Sequence, residues 1–377
     1  MHINDVDDYP FHQHPGMFHV GATSDSHLND GYWFAAFTDD VFAFMGLRLY
    51  PNMNVIDGYA GVVHRGEQRN VRASRLLTPT LSDLSVGPFA LHVLEPMKRQ
   101  RLVLGPNPTG VELDVEITAT APPVLEAPHV QHRAGRLINH VQRYAQCGDT
   151  DGWVTVDDER FDLAGGRACR DHSWGVRASM GAHVPIGGRR EPSDEDRRAL
   201  RLWAPFDVPG LRGFVQTHED ADGTCLDLEG VTETPDGEPV PVRALEHHFV
   251  YEPGSRRLRS GRVVLRGADD AEHVLEFDVV HPPAHVQGFG YRRGWSDGQP
   301  PGSYRGPLHV EHDRFDVSDP THEAGPAHVP QGSRTGGMEY VVTMSADGGE
   351  RRLTQIEHNV YRSYPRYGIV VGEKESA

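Results

Sequence analysis

The sequence predicts an all-β protein made of two antiparallel barrel or sandwich units with few short helices. Runs of aromatic, β-branched or alternating residues recur along all 377 residues, separated by short turns rich in Gly, Pro and Asp. The amphipathic helices that a doubly wound α/β fold would place between its strands are missing. No short-period repeat is present, which disfavours solenoids and propellers.

The first residues, 1–16, read as an irregular lead-in interrupted by Pro10, Pro15 and Gly16. Strands follow at Gly31–Thr38 and Val41–Tyr50, with Asp39-Asp40 as a hairpin turn between them. Further strands are expected at Asn54–Val63, Glu67–Leu77, Ser85–Leu94 and Lys98–Leu104. In Val111–Ala119, apolar Val111, Leu113, Val115 and Ile117 alternate with Glu112, Asp114, Glu116 and Thr118, so one face meets a core and the other meets water. Along Leu137–Gln146 the even positions are mostly polar but uncharged, which suits either the lining of a wet cavity or a solvent-facing edge. A hairpin around Asp157-Asp158 leads into the centre of the chain. Ser193 can cap a short polar helix running through Asp194, Glu195 and Asp196 to Arg201. From Leu202 the β pattern resumes to the end, interrupted by a Gly-, Pro- and aromatic-rich loop at Gly288–Gly306. Two domains are therefore expected, 1–185 and 200–377.

Composition bounds the function. Hydrophobic residues make up 37 %, and no run of about 18 uncharged apolar residues exists to span a membrane. The acidic Met1–Tyr9 stretch lacks the features of a secretion signal, so a cytoplasmic location is expected. A formal charge of −17 argues against nucleic-acid partners, and the Arg189-Arg190 and Arg197-Arg198 pairs are interleaved with acids. Cys147, Cys169 and Cys225 form no CxxC pair and read as reduced thiols. Phosphate loops, GxGxxG, GxSxG and HExxH are all missing, so no nucleotide or other cofactor is expected. Metal binding is the weaker alternative, with His12/His14, His247/His248 and His309/Glu311/His312 as its clusters.

The stretch Arg170–Arg177 (RDHSWGVR) concentrates ionisable and aromatic groups around a single aliphatic residue, Val176. Such a segment can supply acid–base chemistry on an alkene. A carboxyl desolvated at Asp171 would stay protonated and donate. His172 would orient or deprotonate water, and the Trp174 ring would stabilise a tertiary cation by about 2 kcal/mol. The same residues also have a purely structural reading, with Asp171 paired to Arg170 or Arg177 and Trp174 packed at a domain junction. Candidate substrate contacts are Tyr144, Arg177, Tyr291 and Trp295, with Glu311, Glu339 and His358 as secondary candidates.

Asp171-His172-Ser173-Trp174-Gly175, lying between two β-rich halves, resembles the carotenoid 1,2-hydratase (hydroxyneurosporene synthase) and AttH-like superfamily. Arg143-Tyr144, Gly165-Gly166 and the loop around Tyr291 and Trp295 fit a divergent bacterial branch of it. The resemblance implies two lipocalin-like barrels, no organic cofactor, and water addition to an isolated alkene. It places His172 and Trp174, two residues apart, in the active site; the family's Tyr-x-Asp element has no clear counterpart downstream. The expectation is a cofactor-independent lyase or isomerase acting on a hydrophobic, terpenoid, steroid or aromatic-derived metabolite. A non-catalytic carrier of a lipophilic ligand is the alternative.

Overall fold

The aromatic runs flanking Asp39-Asp40 do form a hairpin. In the computed structural model, β1 (Leu28–Phe37) pairs antiparallel with β2 (Phe42–Tyr50), with Phe37 opposite Phe42. The structure describes residues 8–10, 23–77, 83–133, 135–181, 197–235, 237–321, 325–329 and 338–371. Every element among them is a strand or a short 3-10 turn. No helix of these residues is long and apolar enough to cross a membrane.

The chain divides into two compact units. The first contains residues 1–62, 69–191 and 287–314, and the second 63–68, 192–286 and 315–377. The Gly- and aromatic-rich segment 287–314 belongs with the first unit.

In the first sheet, β1 and β2 are followed by β3 (Val55–His64), β4 (Glu67–Leu76), β5 (Ser85–Val86), β6 (Phe89–Glu95) and β7 (Arg99–Leu104). Next come β8 (Val111–Ala119), β9 (Val124–Leu125), β10 (His129–Arg133), β11 (Arg136–Val156), β12 (Glu159–Asp162) and β13 (Gly166–Arg177). The spatial order β4-β3-β2-β1-β13-β11-β8-β7-β6-β5 puts β13, the motif strand, between β1 and the long β11. Alternation decides what is buried. Tyr32, Phe34, Leu47, Ile56, Val71, Leu113 and Ala168 belong to one buried apolar cluster on the sheet's inner face. Strand β8 has the expected bounds and an alternating burial pattern. Two expectations change in detail. Ser85–Leu94 is broken at Gly87, whose φ of +55° turns the chain. Leu137–Gln146 is one end of the 21-residue β11.

In the second unit, β14 (Leu200–Val208), β15 (Leu211–Glu219), β16 (Cys225–Glu233), β17 (Val240–Tyr251), β18 (Leu258–Gly267) and β19 (Glu272–Val279) run in sequence order. After β20 (Ala284–His285) the chain returns to the first unit, where β21 (Leu308–Asp316) pairs with β4, and the second unit then continues with β22 (Met338–Ala346) and β23 (Arg352–Val360). β23 pairs with β14, and β22 pairs with β19, so the second sheet closes into an eight-stranded barrel. Its interior is filled by Leu202, Phe206, Leu265, Phe277, Tyr340 and Ile356 among others. The expected helix from Ser193 falls mainly on residues outside those described, and Arg201 lies in strand β14.

Candidate functional site

Register fixes which side chains meet around the motif. On β13, His172 lies opposite Tyr32 of β1 and Tyr144 of β11, while Asp171 lies opposite Trp33 and Ala145. Because side chains alternate along a strand, Arg170, His172 and Trp174 point into the sheet's inner face, and Asp171, Ser173 and Arg177 point to the outer one. The expected union of Asp171, His172 and Trp174 in one pocket therefore does not form, for the reason that adjacent strand residues cannot share a face.

The inner group is a closed chain of polar contacts among aromatic rings. His172 is fully buried, and its Nε2 lies 2.6 Å from Asp30 Oδ1. Its Nδ1 lies 3.3 Å from the Tyr144 hydroxyl, which donates to Asp8 Oδ1 at 2.9 Å. Arg170 donates to the same Asp8 oxygen at 2.7 Å and to Gln146 Oε1 at 2.9 and 2.6 Å. Gln100 and the Met97 amide hold the other Asp8 oxygen, and Tyr32 donates to the Asp8 carbonyl at 2.6 Å. The Tyr32 ring stacks on His172 with centroids 4.2 Å apart, and the Trp174 ring stands edge-on at 5.4 Å. Burial, and then the charges of Asp30 and its neighbours, push the Tyr32 hydroxyl well above its ordinary pKa. Burial raises Tyr144 in the same way, with Arg170 opposing and Asp8 adding. Both phenols therefore remain proton donors. Asp8 pairs with Arg170, and Asp30 with the imidazole of His172. Trp174 is the partly exposed member of the group.

The outer face is built differently. Arg48 donates to the Ser173 carbonyl at 3.2 Å, to Ser173 Oγ at 2.9 Å and to Asn29 Oδ1. Beside it, Tyr59 stacks on Phe289 at 5.0 Å, and Trp33 lies 4.8 Å from Phe289. Tyr291 stands edge-on to Tyr59 at 6.0 Å. The bare backbone of Gly46 leaves the space that Tyr59 fills, since a Cβ there would lie 2.2 Å from the ring. Asp171 is partly buried, and its Oδ1 has no hydrogen-bond partner among the described residues. Burial and the charges of Arg143 and Arg48 lower the Arg177 pKa, and Tyr291 and Asp171 act against this. Next along this face, Asp57 accepts from the Gly302 amide at 2.7 Å, yet burial raises its pKa to about 6.

The remaining expected residues are elsewhere. Trp295 is buried beneath Arg305, whose guanidinium lies 3.9 Å over the ring. Glu311 binds Arg72 at 2.8 Å and Ser296 Oγ at 2.6 Å. Burial works against its ionisation, but Ser296 and Arg72 pull its pKa down to about 2. In the second unit, His247 Nε2 meets Glu219 Oε1 at 2.9 Å and its Nδ1 meets the Tyr367 hydroxyl at 2.6 Å. His358 meets the Tyr251 hydroxyl at 2.9 Å, and Glu339 accepts from Gln355. Among the described residues, no group of three or more His, Cys, Asp or Glu is arranged to hold a metal ion. His12 and His14 lie outside those residues.

Reading the sequence alone missed Asp8, Asp30, Arg48, Asp57 and Tyr59. Only Asp30 had a signal, because it precedes the aromatic β1 run and alternation puts it on the Tyr32 face.

A model of a family of unknown function (DUF8625) matches residues 3–334. No curated protein matches the chain. The fold is similar to the crystal structure of a Nitrosomonas europaea protein provisionally named AttH, with a TM-score of 0.54 and 10 % identity over 89 % of this chain and 93 % of that one.

Proposed function

The chain belongs to a family of unknown function (DUF8625), and we propose that its first unit is a cofactor-independent lyase or isomerase acting on a hydrophobic alkene. The observation that carries this reading is the Asp30–His172–Tyr144 chain of contacts, bordered by the Trp174 ring. Asp30 orients the imidazole and favours its protonated form. The Nδ1 contact to Tyr144, at 3.3 Å, is longer than the Nε2 contact to Asp30, at 2.6 Å, so Nδ1 is the nitrogen that exchanges its contact more readily for a substrate lying against Trp174. The Nδ1 proton adds to one alkene carbon and leaves a tertiary cation at the other. The Trp174 face stabilises the cation by about 2 kcal/mol when water is excluded. Water then adds and returns a proton to His172, or loss of a neighbouring proton gives the rearranged alkene. The reverse sequence is dehydration.

In this reading the acid expected at Asp171 is replaced by the Asp30–His172 pair. The resemblance of the motif to the hydratases, and the AttH-like fold, support the substrate class. Incubating a panel of terpenoid and steroid alkenes in heavy-oxygen water tests it. Label in an alcohol product, lost in His172→Ala and Asp30→Asn, supports the reading. Stoichiometric ligand binding with no label uptake across the panel would favour a carrier instead.

A further inference from the structure

The outer face of β13 carries a group that the inner chemistry does not use. The Arg177 guanidinium makes no hydrogen bond or ion pair among the described residues, although Arg143 and Arg48 lie close enough to repel it. Arg143 is only loosely tied, with Nη1 3.5 Å from Glu126 Oε2 and a buried Nε that has no partner among the described residues. Arg48, by contrast, donates three hydrogen bonds, to Ser173 and Asn29. Three guanidiniums, Arg48, Arg143 and Arg177, thus face two carboxylates, Asp171 and Glu126. Among these described residues one positive charge is left over. Holding an unpaired, partly buried guanidinium beside two others is unfavourable unless an anion completes the group.

The neighbouring surface identifies the rest of the ligand. Tyr59 and Phe289 are buried and stacked on each other, and Tyr291, edge-on to Tyr59, is the partly exposed ring of the group. Asp171 Oδ1 is buried with no hydrogen-bond partner among the described residues, and an acceptor in that state is costly unless a donor reaches it. We propose that this outer wall binds a small hydroxylated organic acid. Its carboxylate lies on Arg177 and Arg143, its apolar or aromatic body rests against Tyr291, and its hydroxyl donates to Asp171 Oδ1. A dianion such as phosphate fits poorly, since it would overcompensate the single surplus charge and meet the two carboxylates. A neutral hydrocarbon would leave Arg177 unpaired.

Calorimetric titration of the intact chain with 4-hydroxyphenylacetate, its methyl ester and 4-methoxyphenylacetate separates these contacts. The free acid is expected to bind. The ester, which lacks the charge, and the methoxy compound, which lacks the donor, are each expected to bind about 10-fold or more weakly. Arg177→Gln should lose about 10- to 100-fold, Arg177→Lys should recover part of that, and Asp171→Asn should bind the hydroxy and methoxy acids alike. Acid and ester binding equally would overturn the proposal, as would inorganic phosphate competing on equal terms, or no binding of the acid to the wild-type chain. The ligand series on the wild-type protein needs no variant to fold. His172→Ala should still bind the acid, so failure of the inner chemistry and failure of this site are read independently.

Discussion

Asp171 and His172 are consecutive in sequence and stand on opposite faces of β13, one toward Arg48 and Tyr59, the other against Tyr32, Tyr144 and Asp30. Among the described residues no hydrogen-bond partner is common to both. In urea unfolding, His172→Ala and Asp30→Asn should therefore couple by about 1–3 kcal/mol, whereas His172→Ala and Asp171→Asn should add to within about 0.5 kcal/mol. Equal coupling in both pairs would mean that the two faces act as one site.

Gly175 closes the motif for a backbone reason. Its φ is +127°, and a Cβ there would lie 2.1 Å from the His140 carbonyl oxygen on β11. Gly175→Ala should destabilise the protein by about 3 kcal/mol, through strain and the displacement of β11 from β13. A thermal melt unchanged from wild type would show that the strands can part at no cost.

Much of the fold was legible because it depends on local pattern. Val111–Ala119 has the expected bounds, since alternation and flanking turns define such a strand without reference to distant residues. His172 and Trp174 were singled out by a local motif. Their partners were not. Asp8 lies 162 residues from Arg170, and Arg48 lies 125 from Ser173, so only sheet register brings them together. The expected role of Asp171 failed on the same ground, because a motif read as a string does not show that its alternate residues face opposite ways. Trp295 looked like a binding residue from loop composition, yet it is covered by Arg305.

Asp57 gives the first unit a pH dependence of definite sign. Burial raises this carboxyl from 3.8 to about 6. A raised folded value means that its contribution is fully present below the unfolded value and is lost as pH rises through 6. Asp57→Asn should accordingly stabilise the protein above pH 6 by about 3 kcal/mol, with little effect near pH 4. Unfolding curves at the two pH values check this, and an equal effect at both would contradict it.

His358 acts in the opposite direction in the second unit. Burial, aided by the charge of His247, lowers it from 6.5 to about 3. Its contribution is fully present above the unfolded value and declines as pH falls toward 3, by at most about 1.4 kcal/mol per pH unit. His358→Gln, which keeps a hydrogen-bonding partner for Tyr251, should flatten the loss of stability between pH 7 and pH 5. A slope identical to that of the wild-type protein would contradict the assignment.

Proton transfer at His172 is tested most directly by solvent deuterium exchange. A panel of terpenoid and steroid alkenes is incubated with the protein in deuterated water, and deuterium at the alkene carbons is measured by mass spectrometry. Wild-type protein should incorporate deuterium, and His172→Ala and Asp30→Asn should each reduce the rate by about 100-fold or more while their unfolding curves remain cooperative. Incorporation at the wild-type rate in a folded His172→Ala protein, or none in the wild-type protein across the panel, would contradict acid–base chemistry at this site.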